Sequence, residues 1–301
     1  MNSGYTYTDI VPPAFAGDTV LDYYAKRYRH SSREEWLERI REGRVLLDAR
    51  VAQADQRLAA GDRLQYTRKA WDEPAAPAEL TVIASGEGWM VFHKPEGLPV
   101  LPGAGFLEHT LLHTARAAFG DNLAPVHRLG RGTTGAILFS TDSSAAATLA
   151  RAMRERRIRK TYLALASGLP SDDAFTVDVP IGPVPHALLG TVYAANPQGK
   201  PSVSHCRIIR RDAAAGCSLI EVRIPTGRPH QIRIHLAAAG FPLAGDPLYT
   251  IGGLPQLPDD VRRQAVPGDC GYLLHSWKIR FPEPSSESET EIIAEPPPAL
   301  R

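Results

Sequence analysis

Residues 126–136 read Val-His-Arg-Leu-Gly-Arg-Gly-Thr-Thr-Gly-Ala. Gly130, Gly132 and Gly135 fall among Arg128, Arg131, Thr133 and Thr134. Without Cβ atoms the backbone of such a loop can approach a ligand closely. A phosphate loop is the rival reading, but no Gly-Lys-Ser/Thr follows. The Gly-x-Gly-x-x-Gly spacing also lacks a dinucleotide domain around it. Immediately downstream, Ala136–Phe139 is apolar and reads as a strand, so the loop feeds a sheet.

Working outward, Leu80–Ala84, Trp89–Phe92, Tyr162–Ala166, Cys206–Ile209 and Leu219–Ile224 read as further strands, and Glu291–Ala294 as a last one after the acidic turn 284–291. Thr110–Ala118, Ser143–Arg157 and Gln231–Ala239 read as helices. Strands and helices mix without regular alternation, which predicts an α+β fold rather than a doubly wound sheet. Trp71–Leu80 carries two prolines and little periodicity, as a linker does. It places a small domain at 1–72 and a larger one at 73–301. In the small domain Thr19–Arg29 predicts a helix. Ser31 or Ser32, with Glu34 or Glu35 three residues on, predicts a capping box for a second. Trp36, Leu37 and Ile40 share one face of that second helix, while Arg33, Arg39 and Arg41 point elsewhere.

The chain of 301 residues is 43% hydrophobic and 22% charged, the balance of a soluble globular protein. Its 34 Lys+Arg against 33 Asp+Glu leave +1, so nucleic acid binding must come from local patches. Cys206, Cys217 and Cys270 are too scattered for a disulfide framework or a cysteine-type zinc site. Neither a signal-peptide core nor an apolar run of membrane-spanning length occurs, so a cytoplasmic protein without membrane partners is expected.

Two cationic stretches are candidate patches. Arg151–Lys160 holds six basic residues and one acid. Pro225-Thr-Gly-Arg-Pro-His-Gln-Ile-Arg-Ile-His-Leu236 brings Arg228, His230 and Arg233 to a helix start, where acids are normal and cations ask for an anionic partner. His109 and His113 have helical spacing but no third ligand, so no metal is expected.

Together these segments resemble an RluA-type RNA pseudouridine synthase along nearly the whole chain. His93–Leu98 resembles that family's Lys-Pro-x-Gly segment. Val126–Gly135 resembles its signature loop, normally His-Arg-Leu-Asp-x-x-Thr-Ser-Gly, and Lys160–Ala164 the segment with the active-site tyrosine. Gly199–Ser202, Gly227–Arg233, Gly245–Tyr249 and Leu274–Ser276 with Phe281-Pro282 resemble later motifs in the same order. Residues 17–68 resemble the S-four-type (αL) RNA-binding module, with Leu47-Asp-Ala49 where Val-Asn-Gly is usual.

The resemblance implies a mixed, mainly antiparallel central sheet with a small N-terminal αL-type domain, and isomerisation of uridine to pseudouridine in structured rRNA or tRNA, without cofactor or metal and as a monomer. Base extrusion costs a few kcal/mol. Arg128 matches the residue that fills the gap left in the stack, Tyr162 the tyrosine beneath the flipped base, and Arg233 the partner of the catalytic carboxylate. Ile232 and Leu236 are expected along the apolar wall, with His127, Arg131, Thr133 and His230 also at the substrate. RNA contacts are expected from Arg33, Arg39, Arg44, Arg154, Arg157 and Lys160. The catalytic aspartate position, however, is Gly130, which can neither attack nor neutralise Arg233. Either a carboxylate comes from Asp121, Asp142 or Asp246, or the chain is a degenerate relative that only binds RNA, with a phosphate meeting Arg233. Gly130→Asp is then expected to restore activity.

Overall fold

A computed structural model describes residues 1–256, 265–286 and 288–301, so Glu287 of the expected acidic turn lies outside the described residues. The chain forms two compact units, Met1–Glu73 and Pro74–Arg301. In the first, β1 (Tyr5–Ile10), α1 (Val20–Arg27), α2 (Arg33–Arg41), β2 (Val45–Leu47), β3 (Arg50–Val51) and β4 (Arg63–Arg68) follow in order. The sheet runs β1-β4-β2-β3. Ser32 and Glu35 form the capping box of α2, satisfying two amide donors that a helix start leaves open. Trp36 and Ile40 enter a core with Tyr23, Tyr24, Val45 and Leu64.

The second unit begins with β5 (Thr81–Gly86), β6 (Trp89–Lys94), α3 (Leu111–Phe119), β7 (Ala124–Pro125) and β8 (Thr134–Ser140). Next come α4 (Ser143–Arg154), β9 (Arg159–Ser167), β10 (Ala174–Val177), β11 (Ile181–His186) and β12 (Gly190–Ala195). The chain closes with β13 (Ser204–Asp212), β14 (Cys217–Arg223), α5 (Gln231–Ala238), β15 (Tyr249–Thr250), β16 (Leu254–Pro255), β17 (Leu274–Pro282) and β18 (Glu289–Ile293). The central sheet has the order β10-β13-β14-β9-β17-β8-β6-β5, with β18 on β17 and β7 on β8. Every pair is antiparallel except β17 with β8. The α+β expectation therefore holds.

Strand alternation builds two cores, one on each face of this sheet. Ile137 and Phe139 of β8 pack with Phe92, Tyr162, Ile232 and Leu236. Ala136 and Leu138, one residue out of phase, pack with Leu149, Ile279 and Phe281. A face buried by α4 and a face buried by α5 explain why β8 is apolar throughout. Truncating a fully buried aromatic such as Phe139 to alanine should cost about 3–5 kcal/mol. Where β8 meets β17 in parallel, Gly135 sits at φ 100°, and a Cβ there would lie 2.4 Å from the Ser276 carbonyl oxygen. Only glycine fits that crossing.

Helix ends differ from the sequence reading, and α1 closes at Arg27 with Tyr28 as its C-cap, short of the expected Arg29. The helix after Ser143 stops at Arg154, not Arg157, because Arg156 turns left-handed at φ 58° and the Arg157 amide bonds back to the Ala152 carbonyl. The basic run thus wraps a helix end, a turn and the start of β9. Arg228 lies ahead of α5, whose N-cap is His230 at φ 53°.

Candidate active site

The loop 126–133 enters β8 as a tight turn, in which the Thr133 amide donates to the Gly130 carbonyl at 3.1 Å. Lys94 fixes it from below. Its Nζ donates to the carbonyls of Pro95 (2.8 Å), Leu98 (2.8 Å) and Arg131 (2.9 Å), using all three ammonium hydrogens. Burial pushes the Lys94 pKa down to about 7. The Leu138 amide donates to Nε2 of His127, so the neutral ring carries its hydrogen on Nδ1, which has no partner among the described residues. Burial pushes His127 down to about 3, which keeps that ring neutral.

This loop, the α4–β9 turn, β9, the segment 224–230 and α5 enclose a cleft of about 770 Å³. Tyr162 of β9 lies in it, buried, with Ile232 and Leu274 supplying apolar wall. Burial raises the Tyr162 phenol pKa, so it is neutral. Arg128, Arg154, Arg156, Lys160, Arg228 and Arg233 bring six cationic side chains to the lining, and no aspartate or glutamate is among the described lining residues. Lys160 is nearly buried, which lowers its pKa. A concave, partly apolar site with convergent cations favours a planar base carrying a phosphate backbone.

Arg233 has its carboxylate. Nε donates to Asp246 Oδ2 and Nη2 to Oδ1, both at 2.7 Å, and Nη1 donates to the Pro267 carbonyl at 3.0 Å. Burial works against the guanidinium charge, but the bonds to Asp246 outweigh it and the pKa is raised. Asp246 also accepts from the amides of Leu248 (2.9 Å) and Tyr249 (3.1 Å), so it holds the 246–249 turn as well. It stands behind Arg233, outside the cleft lining. Asp142 is the N-cap of α4, accepting from the Ala145 amide, and Asp121 is exposed on the loop after α3. None of the three candidate acids faces the cleft.

Of the residues expected at the substrate, His127, Arg128, Gly130, Thr133, Tyr162, His230, Ile232 and Arg233 line this one cleft. Arg131 does not, since its Nε donates to the Gly268 carbonyl at 2.7 Å. Leu236 is wholly inside the core beside Ile232, on the turn of α5 below the cleft. Among the expected RNA contacts Arg154 and Lys160 reach the cleft, whereas Arg157 is exposed outside its lining. In the first unit Arg33 is paired with Asp22 at 2.6 Å, Arg44 with Glu42 at 2.5 Å, and Arg39 lies over the Trp36 ring at 4.5 Å while donating to Ser31. Arg156 of the basic run 151–160 lines the cleft too, and Tyr272 and Tyr193 join it from beyond the residues the sequence singles out. For Tyr272 the signal is indirect: Gly130 and Gly132 leave room that a bulky group from elsewhere must fill.

Buried aromatic rings with cationic side chains around them define a cleft suited to a nucleobase on its phosphate backbone. Residues 88–238 match the RNA pseudouridylate synthase family. An RNA pseudouridine synthase of Synechocystis sp. is 40% identical over 93% of this chain and 95% of its own length. RNA pseudouridine synthase 5 of Arabidopsis thaliana is 36% identical over 100% of this chain and 95% of its own. Ribosomal large subunit pseudouridine synthase D of Neisseria meningitidis is 31% identical over 92% and 75%. The solved structure of human RNA Pseudouridylate Synthase Domain Containing 1 shares the fold, with a TM-score of 0.57 at 24% identity over 76% of this chain and 89% of that one. The chain belongs to the RNA pseudouridylate synthase family and is an isomerase that converts uridine in RNA to pseudouridine.

Proposed function

We propose that the substrate is a uridine in structured rRNA or tRNA, everted into the cleft between Tyr162 and Ile232. Tyr162 stacks beneath the base, Arg128 takes the vacated place in the RNA stack, and His127, Thr133 and His230 meet the nucleotide's polar edge. Arg154, Arg156, Lys160 and Arg228 hold the flanking phosphates. The observation that carries this reading is the lining itself, six cations around a buried tyrosine with no carboxylate among the described lining residues, where only Arg233 is ion-paired, by Asp246 behind the cleft. The Neisseria relative, by its name a large-subunit rRNA synthase, favours the rRNA arm.

The N-terminal unit serves as an S-four-like RNA-binding module through Arg33, Arg39 and Arg44, in a monomeric, cytoplasmic enzyme. Incubation with unmodified rRNA and tRNA, followed by carbodiimide labelling and primer extension, tests the target. New stops at discrete uridines in one pool support the reading, and no new stop in either pool contradicts it.

A further inference from the structure

A Cβ built on Gly130 would lie 2.9 Å from the Tyr272 Oη and 3.4 Å from the Thr133 Oγ1. One built on Gly132 would lie 2.9 Å from Cζ and 3.0 Å from Cε1 of the same ring. The two glycines and the tyrosine are therefore a matched set, and the phenol occupies the room in which a side chain at position 130 would stand. Its ring lies on the Arg233 guanidinium, 4.1 Å from ring centroid to Cζ, and Oη meets Thr133 Oγ1 at 3.4 Å. Tyr272 is 2% exposed, yet it lines the cleft together with Tyr162 and Gly130.

We propose that Tyr272 is the group that faces the glycosidic bond in this enzyme, its phenol donating a hydrogen bond to the uracil as it leaves the ribose. This rests on the pseudouridine reading of the cleft. The C1′–N1 bond breaks with both electrons on the uracil, whose charge spreads over N1, O2 and O4, and the ribose is left as an oxocarbenium. After the base turns, the C5=C6 electron pair forms the C1′–C5 bond. C5 releases its proton to water and N1 takes one up, so no co-reactant is consumed. Tyr272 keeps its proton throughout. No carboxylate or imidazole bonds to Oη among the described residues, so nothing there would take that proton. Burial raises the phenol pKa, against a smaller opposing effect of Arg233, which suits a donor and not a base. A preorganised donor aimed at developing negative charge in a dry site is a strong catalytic device.

The test compares tritium release from [5-³H]uridine RNA by the full-length wild type, Tyr272→Phe, Gly130→Ala and the double variant, with fold checked by circular dichroism and RNA affinity. Gly130 lies outside the left-handed region, so alanine there adds no backbone strain, and its tightest contact is with Oη. Tyr272→Phe should lower kcat about 10²–10³-fold with KM within a few-fold, as for loss of one oxyanion donor. Gly130→Ala should lower kcat by displacing the phenol, and should add nothing in the Tyr272→Phe background. Tyr272→Phe turning over within threefold of wild type overturns the proposal, as does a Gly130→Ala loss that multiplies fully in the double variant. Should Tyr272→Phe not fold, a Gly130→Ala rate equal to wild type overturns it and a fall supports it. A wild type with no turnover sinks the functional reading first, and this one with it.

Discussion

Arg233 and Asp246 form a two-pronged ion pair at 2.7 Å on both bonds, with their side chains 2% and 1% exposed. The guanidinium that asked for an anion on the strength of the sequence is thus neutralised inside the fold, from the turn before Tyr249. Breaking one half of such a pair leaves the other charge buried. Asp246→Asn should therefore destabilise the protein by about 3–5 kcal/mol. Urea denaturation measures this. An unchanged midpoint would show that the pair carries little of the local structure.

The same pair changes the outlook for Gly130→Asp. Position 130 is not needed to neutralise Arg233, and a Cβ there meets the Tyr272 Oη at 2.9 Å. The single substitution should lower activity, not raise it. Tritium release above the wild-type rate would contradict this.

Arg154 and Arg156 line the cleft without an ion-pair partner among the described residues. Replacing both by glutamine should weaken RNA binding and flatten its salt dependence, by roughly 0.7–0.9 in log Kd per log salt for each phosphate no longer neutralised. Filter binding across a salt series reads the slope. A parallel line shifted only in intercept would place these side chains off the phosphates.

Lys94 satisfies three backbone carbonyls from a fully buried position. Lys94→Met keeps the bulk but strands the carbonyls of Pro95 and Leu98, each costing about 1–3 kcal/mol, while that of Arg131 keeps the Gly97 amide as donor. A loss of several kcal/mol in urea denaturation is expected, together with a fall in activity because the 126–133 loop is unpinned. A stability loss below that of a single carbonyl would contradict the clamp.

Burial pushes His127 and His230 down to about 3 and His275 to about 4. In the unfolded chain each titrates at about 6.5, the free imidazole value. As pH falls below about 6.5 the unfolded state binds protons that the folded state refuses until roughly pH 3–4, so stability drops across that interval. Urea midpoints should fall as the pH is lowered from neutral to about 5, where the free imidazole is almost fully protonated. A flat profile over that range would show that these rings ionise normally.

The sheet was legible because Ala136–Phe139, Tyr162–Ala166 and Leu219–Ile224 alternate or run apolar between turn residues. The Ser32–Glu35 cap was legible because its chemistry is local. The cleft was legible only through family resemblance, since His127, Tyr162 and Arg233 lie on separate elements and no spacing joins them. The end of α4 was not, because Arg154, Glu155 and Arg156 suit a helix well enough, and only the left-handed turn at Arg156, set by the entry into β9, stops it. Tyr272 was invisible in the sequence because its meaning lies in what Gly130 and Gly132, on a distant stretch of the chain, lack.

The most direct test of the central claim is tritium release from [5-³H]uridine-labelled rRNA and tRNA by the purified wild-type chain, set beside Tyr162→Ala. Release well above a protein-free control, abolished or reduced by at least about fivefold when the stacking ring is removed, is the predicted result, since base–aromatic stacking contributes about 1–3 kcal/mol. No release from either RNA pool, or equal release by both proteins, would contradict a uridine isomerised in this cleft.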